Sequence, residues 1–139
     1  MFGPEKIIVH HSLTKDSGTV SWGAIRRYHI EHCGWTDIGY HAGIELVYTE
    51  YETFFGRPWD IPGTHTLGHN RSSLGFCFVG NYDLTRPAEK MLETGAKVIK
   101  LWMRLFNITK DSVFAHHDFA DYKSCPGKRF SMDRLRQCL

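Results

Sequence analysis

Apolar positions along this chain alternate between short continuous runs and one long helical repeat. Lys6-Ile7-Ile8-Val9-His10 is brief and β-branched, the pattern of a strand covered on both faces. His10 closes it, at the C-terminal end where open α/β sheets present their ligands. From Thr19 to His32, Ile25, Tyr28, His29 and His32 fall on one face of a predicted helix, with Ser21 able to cap it and Gly34 able to stop it. Asp37 to Val47 predicts a strand with Tyr40 and His41 early in it, and Tyr48 to Phe55 a turn with a short return strand. The stretch from Gly56 to Gly63, punctuated by Pro58 and Pro62, is loop. Leu74 to Val79 is apolar on both faces and reads as a central strand. Ala88 to Phe106 is the strongest helix, with Met91, Leu92, Gly95, Val98, Ile99, Trp102, Leu105 and Phe106 at helical spacing and Pro87 near its start. Val113-Phe114-Ala115 is a brief strand that delivers His116, and the tail from Phe130 holds a short helix. Strands alternating with helices predict an α/β fold with helices on the faces of the sheet.

Composition narrows the class. The chain has 139 residues, 42% of them apolar, enough for a single domain (residues 1–139) with its own core. No run approaches the roughly 20 apolar residues of a membrane span, and the opening Met1-Phe2-Gly3-Pro4-Glu5-Lys6 has no secretory leader pattern. A net charge of +2 without a Lys/Arg block argues against nucleic acid as partner. The four cysteines form no C-x-x-C pair. Cys77, inside an apolar run, reads as core packing; Cys33 and Cys138 receive no role.

Nine histidines are the informative excess. His116-His117 stand shortly before Lys123-Ser124-Cys125-Pro126-Gly127, joining imidazole, thiol and a lysine in one stretch. Imidazole and thiolate suit zinc, and three such ligands leave a fourth tetrahedral position for water. A third ligand must come from elsewhere, and His10 or His11 is the best candidate. Lys123 beside a metal ligand becomes a fixed cation able to stabilise an oxyanion. Tyr40 reads first as a half-buried strand residue, and Trp59 as the tryptophan most exposed for a partner.

Five ordered segments then carry a resemblance: Val9-His10-His11-Ser12; Gly34-Trp35-Thr36-Asp37-Ile38-Gly39-Tyr40-His41; Pro62-Gly63-Thr64-His65-Thr66-Leu67-Gly68-His69-Asn70; Leu74-Gly75-Phe76-Cys77-Phe78-Val79-Gly80-Asn81; and Lys123-Ser124-Cys125-Pro126-Gly127. The chain resembles N-acetylmuramoyl-L-alanine amidases of the phage-lysozyme and peptidoglycan-recognition-protein type. That resemblance implies a central mixed β-sheet flanked by helices with a zinc cleft on one face. It implies His10, His116 and Cys125 as zinc ligands and Tyr40 with Lys123 as the catalytic pair. Counting back from Cys125 selects His117 instead, whereas aligning the histidine pair selects His116, which is preferred because an insertion near Ala120-Asp121-Tyr122 is cheaper than a shift of strand register. Trp59, His65 and Asn70 are expected to contact glycan or stem peptide, and His41 to be structural or to orient a ligand. The substrate implied is peptidoglycan, cut by a monomeric endolysin that gathers in the host cytoplasm before release to the wall. A wall receptor that binds without cutting and a cytosolic muropeptide-recycling amidase are the alternatives.

Overall fold

The computed structural model describes residues 2–14 and 21–139; Thr19 and Val20 of the predicted first helix lie outside them. One sheet is built from β1 (Lys6–His11), β2 (Ala42–Val47), β3 (Glu50–Phe55), β4 (Ser73–Phe78) and β5 (Val113–Ala115), in the order β3-β2-β4-β1-β5. β1 runs parallel to β4 and β5, and β2 runs parallel to β4, while β3 returns antiparallel to β2. The sheet is therefore mixed, with β4 at its centre. Helices α1 (Trp22–Glu31), α2 (Glu89–Phe106) and α3 (Met132–Gln137) accompany the sheet, with short 3-10 turns at Lys110–Ser112 and His116–Asp118.

The termini of these helices follow from local chemistry. Ser21 Oγ accepts the amide of Ala24 at 3.2 Å, and Ser131 Oγ accepts that of Arg134 at 3.2 Å, each satisfying an otherwise unpaired first-turn donor. Asn107 ends α2 in the left-handed conformation, with φ 55°, one of the few side chains that tolerate it.

The two faces of β4 differ in bulk, and this difference creates the cleft. Side chains alternate along a strand. Leu74, Phe76 and Phe78 join Ile7 and Val9 of β1 in the main core, where Met91, Ile99 and Trp102 of α2 cover them. Burying each of these large side chains contributes about 1.5–3 kcal/mol. The intervening Ser73, Gly75 and Cys77 present small groups to the opposite face. There a second core gathers Trp22 and Ile25 of α1 around Ile38, Cys77 and Val79. The run predicted as apolar on both faces is thus bulky on one and spare on the other.

The predicted strand from Asp37 begins only at Ala42. The backbone groups of Ile38 and Gly39 find side chains and a loop rather than a ladder. Arg57 Nε donates to Ile38 O at 2.9 Å, Gly39 N donates to His29 Nδ1 at 3.0 Å, and Thr64 N donates to Gly39 O at 3.0 Å. A β-carbon at Gly39 would collide with the Thr64 carbonyl, so only glycine permits this crossing.

Candidate active site

Register brings two histidines together. Val9 lies opposite Ala115 in the β1–β5 pair, so His10, within β1, and His116, just past β5, stand side by side, ring centroids 4.5 Å apart. Cys125 arrives from the following loop, its Sγ 3.7 Å from His10 Nδ1 and accepting the His11 amide at 3.3 Å. Ligand atoms of His10, His116 and Cys125 all lie within 4.8 Å of one another. The neighbouring His117 points away: its side chain is 45% exposed, beside Asp118. Asp83 anchors the cysteine loop by accepting Lys128 N at 2.8 Å and Ser124 Oγ at 3.0 Å. Those hydrogen bonds, the one from Lys128 foremost, hold its carboxyl below the usual range.

The donors match a soft divalent cation. Tetrahedral zinc places nitrogen and sulfur ligands about 3.5 Å apart, close to the His10–Cys125 separation. Burial, reinforced by His65 and His116, holds His10 well below the ordinary imidazole range. Burial and then Lys123 lower His116 to about 4. Both rings are therefore neutral, with lone pairs available. Burial pushes the Cys125 thiol up to about 12, outweighing the His11 amide and Lys123. A cation seated here would displace that thiol proton.

Tyr40 and Lys123 flank the cluster on the wall of a cleft of about 400 Å³ that His10, His65, His116 and Cys125 also line. The Tyr40 ring lies 5.2 Å from that of His10, and its hydroxyl adjoins the buried Cys77 thiol. Burial, then Cys77 and Cys125, raises Tyr40 well above its ordinary value, so it remains a protonated donor. Cys77 is core, as its apolar surroundings predict, yet it also backs this tyrosine. Lys123 is exposed at the rim. The cleft continues past Thr66, Asn70 and Phe119. A larger groove lined by Arg86, Lys128 and Arg134 holds none of the three donors.

The expected substrate contacts fall in three different places. Asn70 Oδ1 accepts the amides of His65 and Thr66, each at 2.9 Å, shaping the loop while also lining the cleft. His65 lies beneath His10, its Nδ1 2.9 Å from His10 Nε2. Trp59 packs edge-on to Trp102 at 5.6 Å and to Phe55 at 5.8 Å, on the α2 side of the sheet, and does not line the cleft. Its Pro/Gly surroundings suggested exposure, whereas a tertiary neighbour far along the chain covers it. Trp35 and Tyr122 also line the cleft, and composition does not distinguish them from other surface aromatics. Asp83 also escaped the sequence reading, because its role depends on a loop that returns 41 residues later. His41 is structural: Nδ1 accepts Gly75 N at 3.0 Å and Nε2 donates to Ile61 O at 2.7 Å.

Comparison with known proteins gives the family and the fold. Residues 2–128 match the family described as N-acetylmuramoyl-L-alanine amidase. An endolysin of Klebsiella phage KP32 is 35% identical over 125 residues, covering 87% of this chain and 79% of the relative. The amidase LysC from Clostridium intestinale has the same fold, with a TM-score of 0.83 at 24% identity over 98% of this chain and 85% of that one. Bumblebee PGRP-SA gives a TM-score of 0.80 at 27% identity, over 96% and 81%. A five-stranded mixed sheet with this cleft, matched along nearly its whole length, makes the chain an enzyme of the N-acetylmuramoyl-L-alanine amidase family.

Proposed function

We propose that this protein is a zinc-dependent endolysin that hydrolyses the amide joining N-acetylmuramic acid to L-alanine in peptidoglycan. The observation carrying this reading is the convergence of His10, His116 and Cys125 between Tyr40 and Lys123 in one cleft. His10, His116 and Cys125 would hold the metal. When bound, zinc supplies a Lewis acid that activates water and polarises the scissile carbonyl.

The protein's own residues divide the remaining work. The Lys123 ammonium, at the rim, neutralises negative charge developing on the carbonyl oxygen. Tyr40 keeps its proton and donates a hydrogen bond to that oxygen or relays a proton to the departing alanine nitrogen. Water adds to the carbonyl carbon, the C–N bond breaks, and a lactyl carboxylate and an α-amine result. The cleft arm past Asn70 and Tyr122 offers room for glycan or stem peptide. In this reading the enzyme gathers in the host cytoplasm and acts after release to the wall.

Purified protein incubated with sacculi tests the proposal. New alanine amino termini without new reducing ends, lost with chelator and restored by zinc, are expected. Binding without new termini would instead make the chain a wall receptor. Turnover of short soluble muropeptides but not of sacculi would point to a recycling enzyme.

A further inference from the structure

His65 occupies a slot cut for its ring. A β-carbon added at Gly75 would lie 2.7 Å from His65 Cγ and Cδ2, and one at Gly63 would lie 2.7 Å from Cδ2. The absence of side chains at both positions lets the imidazole lie against β4, directly under His10. The two rings meet nearly perpendicular, at 88°, with His10 Nε2 and His65 Nδ1 2.9 Å apart.

Proton placement along this contact is constrained. His10 Nδ1 faces Cys125 Sγ, so its lone pair belongs to the metal and the proton of the neutral ring must sit on Nε2. A proton on His65 Nδ1 as well would set two N–H groups against each other at 2.9 Å. His65 Nδ1 must therefore be bare and accept from His10. Its own proton then sits on Nε2, 3.4 Å from Ser73 Oγ, which in turn donates to His69 O at 2.7 Å. Thr66 Oγ1, 2.9 Å from His65 Nδ1 and 3.4 Å from His10 Nε2, borders the same contact and can accept from His10 without reversing this order. These three hydrogen bonds thus run one way, from His10 to a backbone carbonyl.

We propose that His65 is a positioning residue for the metal ligand His10, fixing the tautomer and ring orientation that present Nδ1 to the cation. His65 also lines the cleft where a substrate contact is expected, and this further role rests on the metal reading above. Metal-bound histidines usually give their second N–H to a carboxylate, a carbonyl or water. A neutral imidazole does so here without adding negative charge beneath the thiolate.

Zinc affinity, measured by competition with a chelating dye, tests the assignment without reference to turnover. His65→Phe fills the slot but removes the acceptor, and should weaken zinc binding about 10–100-fold, the range for losing such a partner. His65→Asn can place an oxygen near the Nδ1 position and should stay close to wild type, whereas His65→Gln, reaching the Nε2 position, should not. Cobalt substituted for zinc should show altered visible bands in the Phe and Gln variants only. Should the Phe variant not fold, the Asn/Gln contrast decides. Nitrogen-15 spectra of the zinc-loaded wild type should show His65 protonated at Nε2. Protonation at Nδ1, or undiminished affinity in the Phe or Gln variant, overturns the role. Wild-type protein that binds no zinc, or a His10→Ala variant that binds it equally well, overturns the metal reading instead.

Discussion

The backbone amide of His117 donates to the carbonyl of Cys125 at 2.9 Å. This bond closes the loop between the histidine pair and the cysteine, turning His116 inward and leaving His117 at the surface. Metal content should therefore fall sharply in His10→Ala, His116→Ala and Cys125→Ser, and remain at wild-type level in His117→Ala. Stoichiometric metal in His116→Ala together with its loss in His117→Ala would reverse the ligand choice.

Lys123 touches the site through charge. It lies on the cleft wall and contributes to lowering both His116 and Cys125. Replacing it by alanine should lower the rate on sacculi by about 10²–10³, the usual loss of one oxyanion donor. Zinc content should be retained. A variant with full turnover would remove Lys123 from the mechanism.

Acid should destabilise the metal-free protein. Burial lowers His41 from 6.5 to about 4, against a smaller opposing effect of the Ile61 carbonyl. Between these values the unfolded chain binds a proton that the folded one refuses, so stability falls as pH drops through 6.5 and the loss is complete near 4. This histidine alone accounts for on the order of 3 kcal/mol. His10, His65 and His116 are shifted in the same direction and add to the loss. Thermal unfolding with chelator present, followed from neutral to mildly acidic pH, should show a steadily falling midpoint. A flat profile would contradict these burial effects.

Trp59 should matter for stability rather than for substrate. Its edge-on contact with Trp102 places it in the packing under α2. Trp59→Ala should cost about 1–2 kcal/mol in denaturant unfolding through lost apolar burial, with KM for sacculi unchanged. A raised KM at unchanged stability would return Trp59 to the cleft.

Much of the fold was legible because local pattern and tertiary environment agree. The repeat from Met91 to Phe106 buries one helical face, and the predicted boundary at Ala88 differs from the observed start by a single residue. Val113 to Ala115 is a strand that leads directly into His116, as its three apolar residues predict. Asp37 to Gly39 were misread as strand, because their backbone partners are Arg57, His29 and Thr64, none of which a local window contains.

By itself the sequence determined the alternation of strands and helices, the donors able to hold a soft cation, and the order of motifs that marks the family. Only the tertiary structure decided which of these groups act together. The registry of β1 on β5 sets His10 beside His116, and the Cys125 loop closes on His10 from 115 residues away. The same packing covered Trp59 with Trp102 and slid His65 beneath His10, over Gly75. Side-chain type travels with the residue, whereas exposure and hydrogen-bond partner are properties of neighbours that the chain supplies from a distance.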